Sequence, residues 1–149
     1  MSTATKVLLA DDDQDDREIF FEALASLDSD VLYEGVEDGQ EAINALANHT
    51  SLPNIIFLDI NMPIMDGWDV LKKLKSESPY VDIPVIVYST SSGQKEKKLA
   101  FDLGALCFIT KPESMILIKS MLEIVLSRVK NNEVTPQMCK DIQRLLRQL

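Results

Sequence analysis

Apolar positions along this chain follow two alternating rhythms. Five short runs, at residues 6–10, 31–36, 54–58, 84–88 and 106–110, are dense in Val, Ile, Leu or an aromatic and predict β-strands. Between them, apolar residues recur every three or four positions. Ile19, Phe20, Ala23, Leu24 and Leu27 mark one helix, Ala42, Ile43 and Leu46 a second, and Val70, Leu71 and Leu74 a third. In a fourth, residues 94–103, Leu99 and Leu103 share one face and a Lys-Glu-Lys-Lys run the other, and a fifth covers residues 113–130. Unbroken alternation of strand and helix calls for right-handed crossovers and a parallel sheet covered on both faces.

Hydrophobic density also orders the strands. Runs 1, 3 and 4 are almost continuously apolar, as strands buried on both faces must be, whereas run 2 carries Glu34 and Gly35 and belongs at an edge. The flavodoxin-like order 2-1-3-4-5 satisfies both conditions. Turn and cap chemistry agrees: Asp13 can cap the first helix, Asp38-Gly39 and Asp66-Gly67 open the second and third, and Gly104 sits where the fourth must stop. Past a polar hinge at Asn131-Asn132-Glu133, the residues Val134, Met138, Ile142, Leu145, Leu146 and Leu149 fall at helical spacing, with Pro136 admissible in a first turn. The expected fold is therefore an α/β doubly wound five-stranded sheet over residues 1–130, with an extra C-terminal helix in 131–149.

Composition narrows the function classes. A chain of 149 residues with 46% hydrophobic and 26% charged positions supports one domain with a real core. Its net charge of −9 repels phosphate backbones and anionic lipid, so neither nucleic acid nor a membrane surface is an expected partner. No apolar run approaches the ~18 residues that span a bilayer, and the stretch after Lys6 stops at Asp11, too short for a secretory signal, so a cytoplasmic location is expected. Cys107 and Cys139 show no metal-ligand spacing and are expected as reduced thiols.

In such a sheet, ligands bind beyond the carboxyl ends of the strands. There the chain places Asp11-Asp12-Asp13, Asp59, Ser89-Thr90 and Lys111-Pro112, four segments far apart in sequence that converge at one edge. Three aspartates in one cleft oppose each other's ionisation, and a cation relieves this. Hard oxygen ligands select Mg²⁺, Mn²⁺ or Ca²⁺, and a site with few protein oxygens leaves room for the waters Mg²⁺ retains.

These residues carry a resemblance. The segments around Asp11-Asp12, Asp59-Ile60-Asn61-Met62-Pro63 with Met65-Asp66-Gly67, Val87-Tyr88-Ser89 and Phe108-Ile109-Thr110-Lys111-Pro112 resemble, in order, the receiver domain of bacterial two-component response regulators, and the Ser89-Thr90-Ser91-Ser92 run with residues 80–84 resembles its stand-alone type. The resemblance implies that Asp59 is the phosphoryl acceptor and that Asp11, Asp12, Asp59 and the backbone carbonyl of Asn61 hold Mg²⁺. It further implies that Ser89 is the hydroxyl that follows the phosphoryl group, Lys111 its cationic partner, Phe108 a switch aromatic, and Lys111–Pro112 a cis bond.

The function implied is that of a response regulator. It takes a phosphoryl group from a sensor histidine kinase or phosphorelay protein, catalyses only its own phosphorylation and dephosphorylation, and signals to a downstream protein target. A phosphohydrolase with an aspartyl nucleophile is the alternative from the enzyme class; it needs an acid two residues after the nucleophile, where this chain has Asn61. A flavodoxin-like binding module needs a phosphate-cradling loop where this chain has three aspartates. Residues 131–149 are too few for an output domain. Their apolar stripe is too large to leave in water and favours a homodimer through the C-terminal helices.

Overall fold

A computed structural model describes residues 4–48 and 51–147, which places His49, expected at the surface, and Leu149, the last of the tail stripe, outside the described residues. The strands are β1 (Lys6–Ala10), β2 (Leu32–Val36), β3 (Ile55–Leu58), β4 (Val85–Ser89) and β5 (Cys107–Thr110). The helices are α1 (Gln14–Leu27), α2 (Gly39–Ala47), α3 (Gly67–Ser76), α4 (Gln94–Asp102), α5 (Met115–Lys130) and α6 (Pro136–Arg147), with a 3-10 turn at Tyr80–Asp82. All neighbouring strands pair in parallel, in the order β2-β1-β3-β4-β5. The expected flavodoxin-like order is the observed one.

Two-residue alternation along each inner strand divides the core. Leu8 and Ala10, Ile56 and Leu58, Val85 and Val87, and Phe108 join one cluster with Val70, Leu71 and Leu74 of α3, Ala42 and Leu46 of α2 and Ala100 of α4. The positions between them, Val7, Leu9, Ile55, Phe57, Ile86, Tyr88, Cys107 and Ile109, join the opposite cluster with Phe20 and Leu24 of α1 and with α5. Near-continuous apolar runs thus feed two layers at once, which is why β3 and β4 are buried at every position. β2 lies at an edge with Leu32 exposed.

Local chemistry fixes the helix starts. The side chains of Asp13, Asp38, Asp66 and Ser114 each accept a hydrogen bond from an amide in the first turn of the helix they precede. Gly104, at φ +100°, ends α4 in a conformation that a side chain would strain.

Helix α6 buries part of its stripe within the chain. Met138 and Ile142 are fully buried in the α1/α5 cluster, Arg128 of α5 pairs with Asp141 at 2.6 Å, and Gln143 Nε2 donates to the Phe108 carbonyl of β5 at 2.8 Å. For Met138 and Ile142 α5 and β5 supply the surface, while Leu145 and Leu146 stay partly exposed. Cys107 and Cys139 are joined in a disulfide rather than held as thiols, because α6 brings Cys139 to a Cα–Cα distance of 5.6 Å from Cys107. The cis peptide bond among the described residues lies at Ser78–Pro79, not at Lys111–Pro112, and the long stem of Lys111 reaches the cleft without it.

Candidate functional site

The carboxyl ends of β1, β3 and β5 meet in one acidic cleft. Asp11 follows β1 and is fully buried; its Oδ1 accepts from the Asp13 amide at 3.0 Å, while Oδ2 lies 2.7 Å from Lys111 Nζ as an ion pair. Asp59 follows β3 and is 7% exposed; Oδ1 accepts from the Ile60 amide at 2.7 Å and Oδ2 lies 3.3 Å from Lys111 Nζ. Lys111, just past β5, therefore stands between two carboxylates carried on different strands. Its amide donates to the Ser89 carbonyl at 2.7 Å, which ties the end of β5 to the end of β4.

Lys111 also pairs with Asp16, in the first turn of α1, at 2.9 Å. The sequence pattern did not single out Asp16, because an acid in a helix's first turn is accounted for by the helix dipole. No periodicity reveals that a lysine about ninety-five positions later will reach it. Arg17 completes this corner by donating to the Asp11 carbonyl at 2.7 Å.

The electrostatics follow from burial. Removal from water pushes the Asp11 carboxyl up to about 6, and the charge of Asp59 adds to this, against the downward pull of the Lys111 ammonium and the Asp13 amide. For Lys111, burial alone favours the neutral amine, but hydrogen bonds and charge from Asp11 and Asp16, with Asp59 adding, raise it above its ordinary value. The cleft is thus a lysine held firmly cationic by aspartates, one of which is reluctant to ionise.

The remaining expected residues lie around this core. Asp12 is exposed, and the carboxylate oxygens of Asp11, Asp12 and Asp59 come within 4.8 Å of one another. Ser89 is fully buried and its Oγ accepts from the Ser91 amide at 3.2 Å. Asn61 is exposed, two residues beyond Asp59. Phe108 is 3% exposed and sits in the α2/α3/α4 cluster. Trp68, Met62 and Met65 also belong to that cluster or pack against it, as gap-filling and partly buried groups.

One further feature of the rim was not visible in the sequence. Ile64, in the loop between β3 and α3, is 82% exposed and has φ 70°, a left-handed conformation that a β-branched residue avoids. Glycine there removes a steric cost of roughly 1–2 kcal/mol and adds backbone entropy of about 0.5–1 kcal/mol to the unfolded chain. Ile64→Gly should therefore raise stability by up to about 1 kcal/mol in urea unfolding; a loss of stability would show that the exposed side chain packs usefully.

Comparison with known proteins extends the geometry. Residues 7–123 match the response regulator receiver domain family. The chain is 37% identical over 119 residues to a protein-glutamate methylesterase/protein-glutamine glutaminase of Halalkalibacterium halodurans, covering 78% of this chain and 33% of that protein. It thus spans about a third of that relative's length. A chemotaxis protein CheY homolog of Campylobacter jejuni is 34% identical over 121 residues, covering 81% of this chain and 92% of the homolog. Among solved structures, the phosphorylated cyanobacterial phytochrome response regulator RcpA superposes with a TM-score of 0.77 at 34% identity, over 84% of this chain and 96% of that one. With the same sheet order and a family match that runs from β1 into α5, around the strand ends that carry Asp11, Asp59 and Lys111, this chain belongs to the response regulator receiver domain family.

Proposed function

We propose that Asp59 accepts a phosphoryl group from a sensor histidine kinase or a phosphorelay protein, and that the surface altered by this is read by a downstream protein. The observation that carries the reading is the placement of the Asp59 carboxylate. One oxygen is fixed by the Ile60 amide and the other faces a lysine, so the nucleophile is oriented before any donor arrives. In the reaction an Asp59 carboxylate oxygen bonds to phosphorus as the donor's phosphorus–nitrogen bond breaks. The electron pair stays with the imidazole, which takes up a proton, and an acyl phosphate remains on Asp59.

The residues fit a divalent cation. Asp11, Asp12 and Asp59 bring hard carboxylate oxygens within 4.8 Å of one another, and a single lysine stands against them, a donor set that a hard cation suits. Asp11, Asp12 and Asp59, with the Asn61 backbone carbonyl, would hold Mg²⁺, which when bound supplies charge that offsets the negative oxygens of the phosphoryl group. Lys111 serves as the cationic partner of one phosphoryl oxygen and Ser89 offers its hydroxyl to another. Phe108, on the same strand as Thr110, is the aromatic whose packing would answer the change.

On this reading the chain catalyses only its own phosphorylation and dephosphorylation, residues 1–130 form the receiver with 131–149 as an extension, and the protein works in the cytoplasm. No helix among the described residues is long and apolar enough to cross a membrane.

Incubation with acetyl phosphate and Mg²⁺ should add the mass of one phosphoryl group to the wild-type chain and none to Asp59→Asn. A wild-type mass left unchanged by acetyl phosphate, carbamoyl phosphate and phosphoramidate alike would discard the proposal. Mg²⁺ should bind in roughly the micromolar to millimolar range of a hydrated site, and Asp11→Ala with Asp12→Ala should weaken that binding at least tenfold by calorimetric titration. Undiminished affinity in the double variant would move the ion elsewhere.

A further inference from the structure

The disulfide that ties α6 to the sheet is placed as a reactive bond. It joins the chain's two cysteines, 32 positions apart, across the whole of α5. Cys107 on β5 and Cys139 both line a groove of about 560 Å³ between α4, β5 and α6, and Cys139, half-buried, is the more exposed of the two, Cys107 being 1% exposed. Lys97, Lys140 and Arg147 line the same groove, and among the described residues no acidic one does. A thiolate is stabilised by such cations, both as the attacking group and as the group that leaves. A bond buried in apolar packing on both sides would resist exchange; this one borders an open, positively charged groove, with Cys139 its more exposed residue.

We propose that Cys107–Cys139 is a thiol–disulfide exchange site, opened by a dithiol reductant and closed by the oxidised form of such a dithiol, that sets how tightly α6 is held against β5. In opening, a reductant thiolate attacks the Cys139 sulfur from the groove. The S–S bond breaks, its electron pair goes to the Cys107 sulfur, and that thiolate takes a proton. The reductant's second thiol then displaces Cys139 from the mixed disulfide. The reductant leaves as its own disulfide, Cys139 takes up a proton, and two electrons have passed to the protein. Closing reverses each step.

Opening leaves α6 docked by Met138, Ile142, the Arg128–Asp141 pair and the Gln143 bond to Phe108. These contacts lie beyond a turn in which Asn132 takes φ 57°, so without the covalent tie the helix can lift as a unit. The Cys107–Cys139 bond and the Gln143 bond both act on β5, the strand that leads into Lys111, so the tightness of α6 reaches the strand that carries the site's lysine.

Full-length protein is alkylated with iodoacetamide under denaturing conditions, before and after native treatment with dithiothreitol or with reduced thioredoxin, and its intact mass is measured. No modified cysteine is expected before reduction and two after. Hydrogen exchange over residues 136–147 should be at least tenfold faster in the reduced protein, with β1 and β3 unchanged, and should return on treatment with oxidised thioredoxin. In Cys139→Ser, or in Cys107→Ala should the first variant fold poorly, α6 should exchange at the reduced rate whatever the redox state. Two alkylated cysteines before reduction, a bond that yields only after unfolding, disulfide-linked dimers, or α6 exchange indifferent to reduction would each overturn the proposal.

Discussion

Gly67→Ala is expected to cost the fold about 3 kcal/mol, the upper part of the range for overpacked positions, and to take most phosphoryl uptake with it. A Cβ at Gly67 would overlap the Asp59 carbonyl oxygen and lie 2.7 Å from Ile60 Cα. Both obstacles are backbone, in the segment that holds the nucleophile, and the Gly67 amide is already hydrogen-bonded to the Ile60 carbonyl at 2.8 Å. Nothing flexible can yield, so the strand end must move and the Asp59 carboxylate with it. Gly93→Ser is the control, because a Cβ there meets only side-chain atoms of Glu96 and Ser91, at 3.5 and 3.7 Å, both ordinary contacts, and serine is a good residue for the cap of α4. Urea midpoints and phosphorylated mass for the two variants decide the matter; a Gly67→Ala protein as stable and as active as wild type would refute the close approach.

The second large effect concerns charge. In the metal-free protein, Lys111→Met should lower stability by about 2–4 kcal/mol at pH 7, since it strips the counterion from a fully buried carboxylate and from a second one beside it. The pH dependence has a definite sign. Asp11 binds its proton more tightly in the folded chain, at about 6, than at its ordinary 3.8, so its contribution opposes folding in full above pH 6 and fades as pH falls from there towards 3.8. Wild type without metal should thus gain about 1 kcal/mol between pH 7 and pH 5 from this group. Without Lys111 the Asp11 carboxyl is driven higher still, so the variant gains more and the gap between the two proteins narrows on acidification. Lys111 itself titrates far above this window and adds no slope. Denaturation at pH 7 and pH 5 in the presence of a chelator tests both statements, and a variant at least as stable as wild type at pH 7 would show that the lysine does not offset the carboxylates.

How far each residue was legible in sequence depends on whether its environment is local or distant. The strands were readable because burial on both faces leaves a continuous apolar run, and β2 was readable as an edge because Glu34 and Gly35 interrupt one. Caps at Asp13, Asp38 and Asp66 involve amides three residues away, well within what a local pattern encodes. Asp11, Asp59 and Lys111 were legible because strand ends of a parallel sheet share one edge whatever the loops do. Asp16 was not, since its partner lies on another element and its register depends on how α1 packs. The same limit applies to the C-terminal segment. An apolar stripe states that a surface is needed, not which one, and only the structure shows Met138 and Ile142 taken up against α5 and β5. Once α6 is seen to dock there, the Cys107–Cys139 bond follows from its position, and spacing alone could not have announced it.

That docking changes what counts as a transplantable piece of this protein. The family match stops at residue 123, inside α5, whereas Val125 and Leu126 of the same helix and Met138 and Ile142 of the next are core residues. A chimera joined at the limit of the match would sever a helix midway and leave the α1 layer bare along one side. The junction that respects the packing falls after Arg147, so the smallest portable module of this chain is longer than the pattern by which its kinship is recognised.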